Sequence, residues 1–108
     1  MQKAQSRRAF QKADQIAREL GRILTEETAD PRLELVTITG ACMNTDMSIV
    51  EIMYTHIEGK SRQPEIERGL KQATGFFRTQ LGSRLRLRSV PQLRFVWDDF
   101  LENMVYAT

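Results

Sequence analysis

Arg84, Arg86 and Arg88 alternate with Leu85 and Leu87, so the three guanidinium groups are expected to project to solvent together while the leucines anchor the stretch. A guanidinium donates hydrogen bonds in pairs from a planar fork, the geometry that suits phosphate oxygens. Arg68, Lys71 and Arg78 are separated by three and seven residues, which places them on one helical face. Arg7, Arg8 and Lys12 form a third basic group near the N-terminus. These nine residues are the candidate contacts for a polyanion. The competing reading for each is a solvated face that serves only solubility.

Other chemistry is poorly supplied. His56 is the only histidine, and no base, nucleophile and orienting acid stand together at readable spacing, so no catalytic residue is assigned. Asp98-Asp99 reads as a solvated turn rather than a metal pair. The glycines form neither a phosphate loop nor a dinucleotide fingerprint. No metal, cofactor or small-molecule substrate is expected. Cys42 is the single cysteine, which excludes an intramolecular disulfide, and it is expected as a buried thiol. Phe95 and Trp97 could stack on bases, but in strand alternation with Arg94 they read as core. The five methionines are scattered gap-fillers.

The net charge is only +2, yet it is segregated along the chain. Met1–Arg22 carries a net +4, residues 23–59 carry −6, and residues 61–94 carry +6. Such segregation steers polyanions to one face even where the total nearly cancels.

The elements that must position these groups are legible from periodicity. Phe10, Ala13, Ala17, Leu20 and Leu24 recur at three- and four-residue spacing, with Ile16 and Ile23 beside them, and predict an amphipathic helix. Ser6 is its expected N-cap, and it must end before Asp30-Pro31. Residues 35–39 read as a strand, Asn44-Thr-Asp46 as a turn and Ser48–Thr55 as a second strand, forming a hairpin with Val50, Ile52 and Tyr54 facing the helices. Pro64 suits a first helical turn. The helix it opens is expected to be interrupted at Ala73-Thr74-Gly75, with Gly75 either relieving crowding at the bend or touching the polyanion directly, before a further helix carrying Phe77, Leu81 and Leu85. A third strand spans Leu93 to Trp97. The predicted order is helix, strand, strand, helix, kink, helix, strand: an α+β sandwich with helices on a three-stranded sheet. A parallel pair is expected somewhere in it, because the crossover from the second to the third strand is long. At 108 residues one domain, 1–108, accounts for the chain, with a core over about 7–98 and a C-terminal extension over 99–108. No segment is apolar enough for a membrane span or a signal peptide, so a cytoplasmic protein is expected.

Asp30-Pro31-Arg32, the Val-Thr-Ile-Thr-Gly strand ending at Gly40, Ala73-Thr74-Gly75-Phe76-Phe77-Arg78, and Leu85-Arg-Leu-Arg-Ser-Val-Pro91 followed by Leu93 and Phe95 resemble the ribosome-binding factor A family in order and spacing. The resemblance runs from about Arg7 to Asp98. It implies a type II KH-like fold and binding to the immature small ribosomal subunit and its ribosomal RNA. It also implies a part in late maturation and processing of that RNA, and in growth at low temperature. A monomer is expected. Ala73-Thr74-Gly75 stands where nucleic-acid-clamping KH domains carry a Gly-x-x-Gly loop, so recognition of RNA shape and phosphates is expected rather than sequence readout. Phe100, Asn103 and Met104 depart from the family pattern, where many relatives continue into a basic extension. The alternative function is a protein-interaction adaptor that docks this scaffold on an acidic protein.

Overall fold

The computed structural model describes residues 6–100. The first helix, α1 (Arg7–Glu26), starts at Ser6, whose side chain accepts the Ala9 N–H at 3.1 Å. It ends where the Glu27 N–H and the Thr28 hydroxyl both donate to the Ile23 carbonyl. Its buried stripe is Ala9, Ala13, Ile16, Leu20, Ile23 and Leu24. At about 100° per residue these six fall within an arc of about 100°, whereas Phe10 and Ala17 lie on its flank. Phe10 is accordingly 58% exposed, which corrects its predicted core position.

A short 3₁₀ turn over Pro31–Leu33, capped by the Asp30 carboxylate, leads into β1 (Val36–Met43). The strand continues past Gly40, its predicted end, because Thr39 is an extra, unpaired residue: Ile38 pairs with Tyr54, and Gly40 with Met53. The Thr39 hydroxyl turns to the Asp98 carboxylate instead. Antiparallel to β1 runs β2 (Ile49–His56), with Val50, Ile52 and Tyr54 fully buried, as the alternation predicts. Helix α2 (Gln63–Arg84) then carries the chain to β3 (Gln92–Trp97), which pairs parallel with β2. The sheet order is β1-β2-β3, and α1 and α2 pack on one face of it. Tyr54 and Trp97, partners across β2 and β3, meet edge to face with ring centroids 5.5 Å apart. Burial holds the Tyr54 phenol pKa well above its ordinary value.

The α+β layering is as predicted, but the division of the crossover into two helices is not. Helix α2 runs unbroken for 22 residues through Ala73, Thr74 and Gly75. The Thr74 hydroxyl donates back to the Leu70 carbonyl at 2.8 Å, a side-chain bond that competes with the helix ladder without breaking it here. Gly75 relieves nothing, because a Cβ there would meet no atom within 4 Å. Packing is tightest at Gly69, where a Cβ would stand 3.0 Å from the Leu33 side chain, and next at Gly82, 3.1 Å from Val90. Asp30-Pro31-Arg32 sets the approach at Gly69. Arg32 grips the Asp30 carboxylate through Nε and Nη2 and reaches Gln72 on α2 at 2.6 Å. That guanidinium holds the Asp30 carboxyl below its ordinary pKa.

Cys42 is half-buried on the strand rather than fully buried, and partial burial pushes its thiol pKa up. His56 is buried, with Nε2 against the Glu34 carbonyl and Nδ1 accepting the Glu58 N–H. Asp98 and Asp99 serve the turn after β3, accepting from Thr39 and Lys60 respectively. Asn103 and Met104, with most of the predicted 99–108 extension, lie outside the described residues.

Candidate nucleic-acid interface

Three separate segments of chain meet at one concave surface. The first turns of α1 supply Arg8 and Lys12, the β1–β2 turn supplies Asp46 and Met47, and the stretch after α2 supplies Arg86, Leu87, Arg88, Ser89 and Pro91. Together they line a cleft of about 400 Å³. Four cations converge there with a single carboxylate.

The segment after α2 is built by a helix-ending motif. The Leu87 N–H reaches back to the Gly82 carbonyl and the Arg86 N–H to the Ser83 carbonyl, the paired bonds of a Schellman cap. That cap puts its residue after the helix in the left-handed region, and here this residue is Arg86, at φ 53°. Glycine is the usual occupant, since a side chain there costs about 1–2 kcal/mol. Met47, in the opposite wall, is also left-handed, at φ 63°. Of the three non-glycine residues with positive φ among those described, two therefore line this cleft. Strain of this kind concentrates where a surface is shaped for a ligand.

The turn wall is rigid. Asp46 Oδ1 accepts from the Asn44 side-chain amide, the Ser48 N–H and the Ser48 hydroxyl, while Asn44 accepts the Ile49 N–H. The Ser48 hydroxyl and N–H hold the Asp46 carboxyl below its ordinary pKa, so it stays ionised at neutral pH. No other residue among those described bonds or pairs with Asp46 Oδ2. Nothing in the sequence beyond a turn signal pointed to Asp46 or Met47 as cleft residues. The only further clue was a turn rich in side chains able to bond their own backbone.

The nine predicted basic residues divide into distinct groups. Arg8, Lys12, Arg86 and Arg88 line the cleft. Arg7 is exposed beside them on α1 without lining it. Arg68 and Lys71 are exposed along one stripe of the unbroken α2. Arg78 shares that stripe but donates to the Val90 and Pro91 carbonyls, at 2.7 and 3.4 Å, and so braces the cleft wall. Arg84 does not project outward with Arg86 and Arg88. Its guanidinium ties α2 to α1 by pairing with Glu19 at 2.8 Å and with Glu27. Its position is the last of the helix, before the cap reverses the chain, so strand-like alternation could not place it.

Fifteen lysines and arginines are described, and eight of them bond to carboxylates or carbonyls of the chain itself. The seven without such a partner among the described residues are Arg7, Arg8, Lys12, Arg68, Lys71, Arg86 and Arg88. All seven belong to the predicted set. Among the described residues no group of histidine, cysteine and carboxylate side chains could hold a metal ion, and no helix is long and apolar enough to cross a membrane.

Fold and cleft together define a small KH-like α+β domain that lacks the Gly-x-x-Gly clamp and gathers unpaired cations in one cleft. The chain belongs to the ribosome-binding factor A family, whose profile matches residues 8–107. It is 43% identical over 95 residues to ribosome-binding factor A of Nitrosomonas europaea, covering 88% of this chain and 81% of that one. The Nitrosospira multiformis relative is 40% identical over 98 residues, covering 91% and 78%. The crystal structure of ribosome-binding factor A from Thermus thermophilus superposes with a TM-score of 0.73 at 24% identity, over 82% of this chain and 93% of that one, and supports the fold. A homology model of the Thermus thermophilus factor, fitted into a cryo-EM map of a 30S complex, superposes with a TM-score of 0.59 at 26% identity, covering 80% and 94%.

Proposed function

We propose that this protein binds the immature small ribosomal subunit through its ribosomal RNA and assists late maturation and processing of that RNA. In this reading it acts as a cytoplasmic monomer without catalysing a reaction, and it matters most for growth at low temperature. The observation that carries the proposal is the set of seven unpaired cations, four of them gathered into one cleft from segments at opposite ends of the chain. A protein whose basic residues served only solubility would have no reason to brace such a cleft with Arg78 or to strain Arg86. The family supports the same partner, since a relative has been placed in a 30S complex.

The test is co-sedimentation with small subunits, run beside binding to the same RNA stripped of protein. Charge reversal by Arg86→Glu and Arg88→Glu together should weaken both severely while thermal unfolding stays within a few degrees of wild type. Undiminished binding to subunits by the folded double variant would overturn the proposal. Binding to intact subunits without any to stripped RNA would favour a protein-docking adaptor instead.

A further inference from the structure

The cleft contains one feature that a pure phosphate trap would exclude. Asp46 faces the same space as Arg8, Lys12, Arg86 and Arg88, and its ionised carboxylate would repel a phosphate. It is also no accident of a mobile turn, because Oδ1 is fixed by three hydrogen bonds and Oδ2 is left over. The remaining walls, from Met47, Leu87, Ser89 and Pro91, are apolar apart from the Ser89 hydroxyl. Cations, one oriented acceptor and an apolar surface within about 400 Å³ match the parts of a nucleotide: phosphate, polar base edge and base face.

Building on the proposed RNA binding, we infer that the cleft takes a single unpaired nucleotide whose base carries an exocyclic amine, with that amine donating to Asp46. Cytosine N4 and adenine N6 are such donors, and a carboxylate accepting from cytosine N4 is an established form of base readout. Uracil presents a carbonyl at the equivalent position and would meet the carboxylate oxygen lone pair to lone pair. The base must be unpaired, because the deep, narrow major groove of an RNA duplex keeps side chains from the amine's second hydrogen, and single-stranded RNA is where proteins reach Watson–Crick edges. Arg86 and Arg88, with Arg8 and Lys12 across the cleft, hold the flanking phosphates. On this inference, base readout is added at this one position to the recognition of shape and phosphates.

The test is fluorescence anisotropy of the full chain with short single-stranded oligocytidine, oligoadenosine and oligouridine of equal length. Wild type should bind oligocytidine about tenfold more tightly than oligouridine, within the range that one base contact gives. Oligoadenosine should likewise bind more tightly than oligouridine. Asp46→Asn keeps an oxygen for Ser48 and puts an amide donor where the free acceptor was, so the cytidine-to-uridine ratio should fall to about one or invert. If Asp46 acted only by its charge, wild type would show no preference and the variant would tighten both oligomers alike. That result, or a preference unchanged in Asp46→Asn, overturns the inference, as does failure of every oligomer to bind. Co-sedimentation of the same wild-type protein with small subunits reads the underlying RNA-binding proposal separately.

Discussion

On the proposed RNA binding, Arg86 sets stability against binding within one residue. Its left-handed backbone is what the Schellman cap demands, yet its side chain makes that conformation costly where glycine would not. Arg86→Gly is expected to raise the unfolding free energy by about 1 kcal/mol, or the Tm by about 4–8 °C, while weakening RNA binding several-fold. Thermal unfolding and oligonucleotide anisotropy on the same sample check both directions. A fall in Tm would mean that the arginine side chain contributes packing that outweighs the strain. The sequence could name Arg86 as a candidate because arginine is the residue suited to phosphate. It could not reveal the strain, since a cap is recognised by its glycine and here there is none.

Among the elements, α2 is where pattern and structure part. Ala-Thr-Gly looked like an interruption because Thr and Gly are both poor helix formers, but one turn of weak propensity does not break a helix anchored by Ile66 and Leu70 on one side and Phe77 and Leu81 on the other. Packing of the apolar stripe overrides it. Two glycine substitutions test this with opposite signs. Gly75→Ala should stabilise by up to about 1 kcal/mol, since nothing occupies the space. Gly69→Ala should destabilise by about 1 kcal/mol net, because the added methyl meets buried Leu33 and overpacking outweighs the helical gain. Chemical denaturation of the two variants decides the matter, and a destabilised Gly75→Ala would show that the helix does need a glycine there. Arg84 belongs to the same scale. Arg84→Gln should cost about 1–3 kcal/mol by removing the tie from α2 to Glu19 and Glu27, with oligonucleotide affinity measured on the folded fraction unchanged. Periodicity made the strands and the helix cap legible, because Ser6, Pro64 and the β2 alternation are local signals. The Asp30-Arg32-Gln72 bridge and the Arg84 tie join residues far apart in sequence, and no local pattern encodes them.

For the molecule as a whole, the segregation of charge along the sequence becomes segregation in space only after folding. Carboxylates, most of them from the acidic middle of the chain, pair with neighbouring cations: Glu19 and Glu27 with Arg84, Asp30 with Arg32, Glu51 with Arg94 and Glu58 with Arg62. The cations left over are those of the cleft, Arg7 beside it, and the α2 stripe. Binding to single-stranded RNA should therefore weaken with salt in proportion to the few phosphates these cations neutralise. With three or four contacts, the slope of log affinity against log salt should be about −2 to −3 at about −0.7 per contact. Replacing Arg86 and Arg88 by glutamine removes two contacts without introducing repulsion, so the slope should become shallower by about 1.4. Replacing them by glutamate adds repulsion that salt screens, so the residual affinity should lose its salt dependence or rise with salt. Replacing Arg68 and Lys71 by glutamine asks whether the α2 stripe shares the same RNA strand. A short oligonucleotide confined to the cleft should keep its slope in that variant, while intact small-subunit RNA, long enough to reach both surfaces, should show a shallower one. Anisotropy titrations at four or five salt concentrations measure these slopes. An unchanged slope in the Arg86 and Arg88 glutamine variant would place the phosphate contacts elsewhere on the molecule.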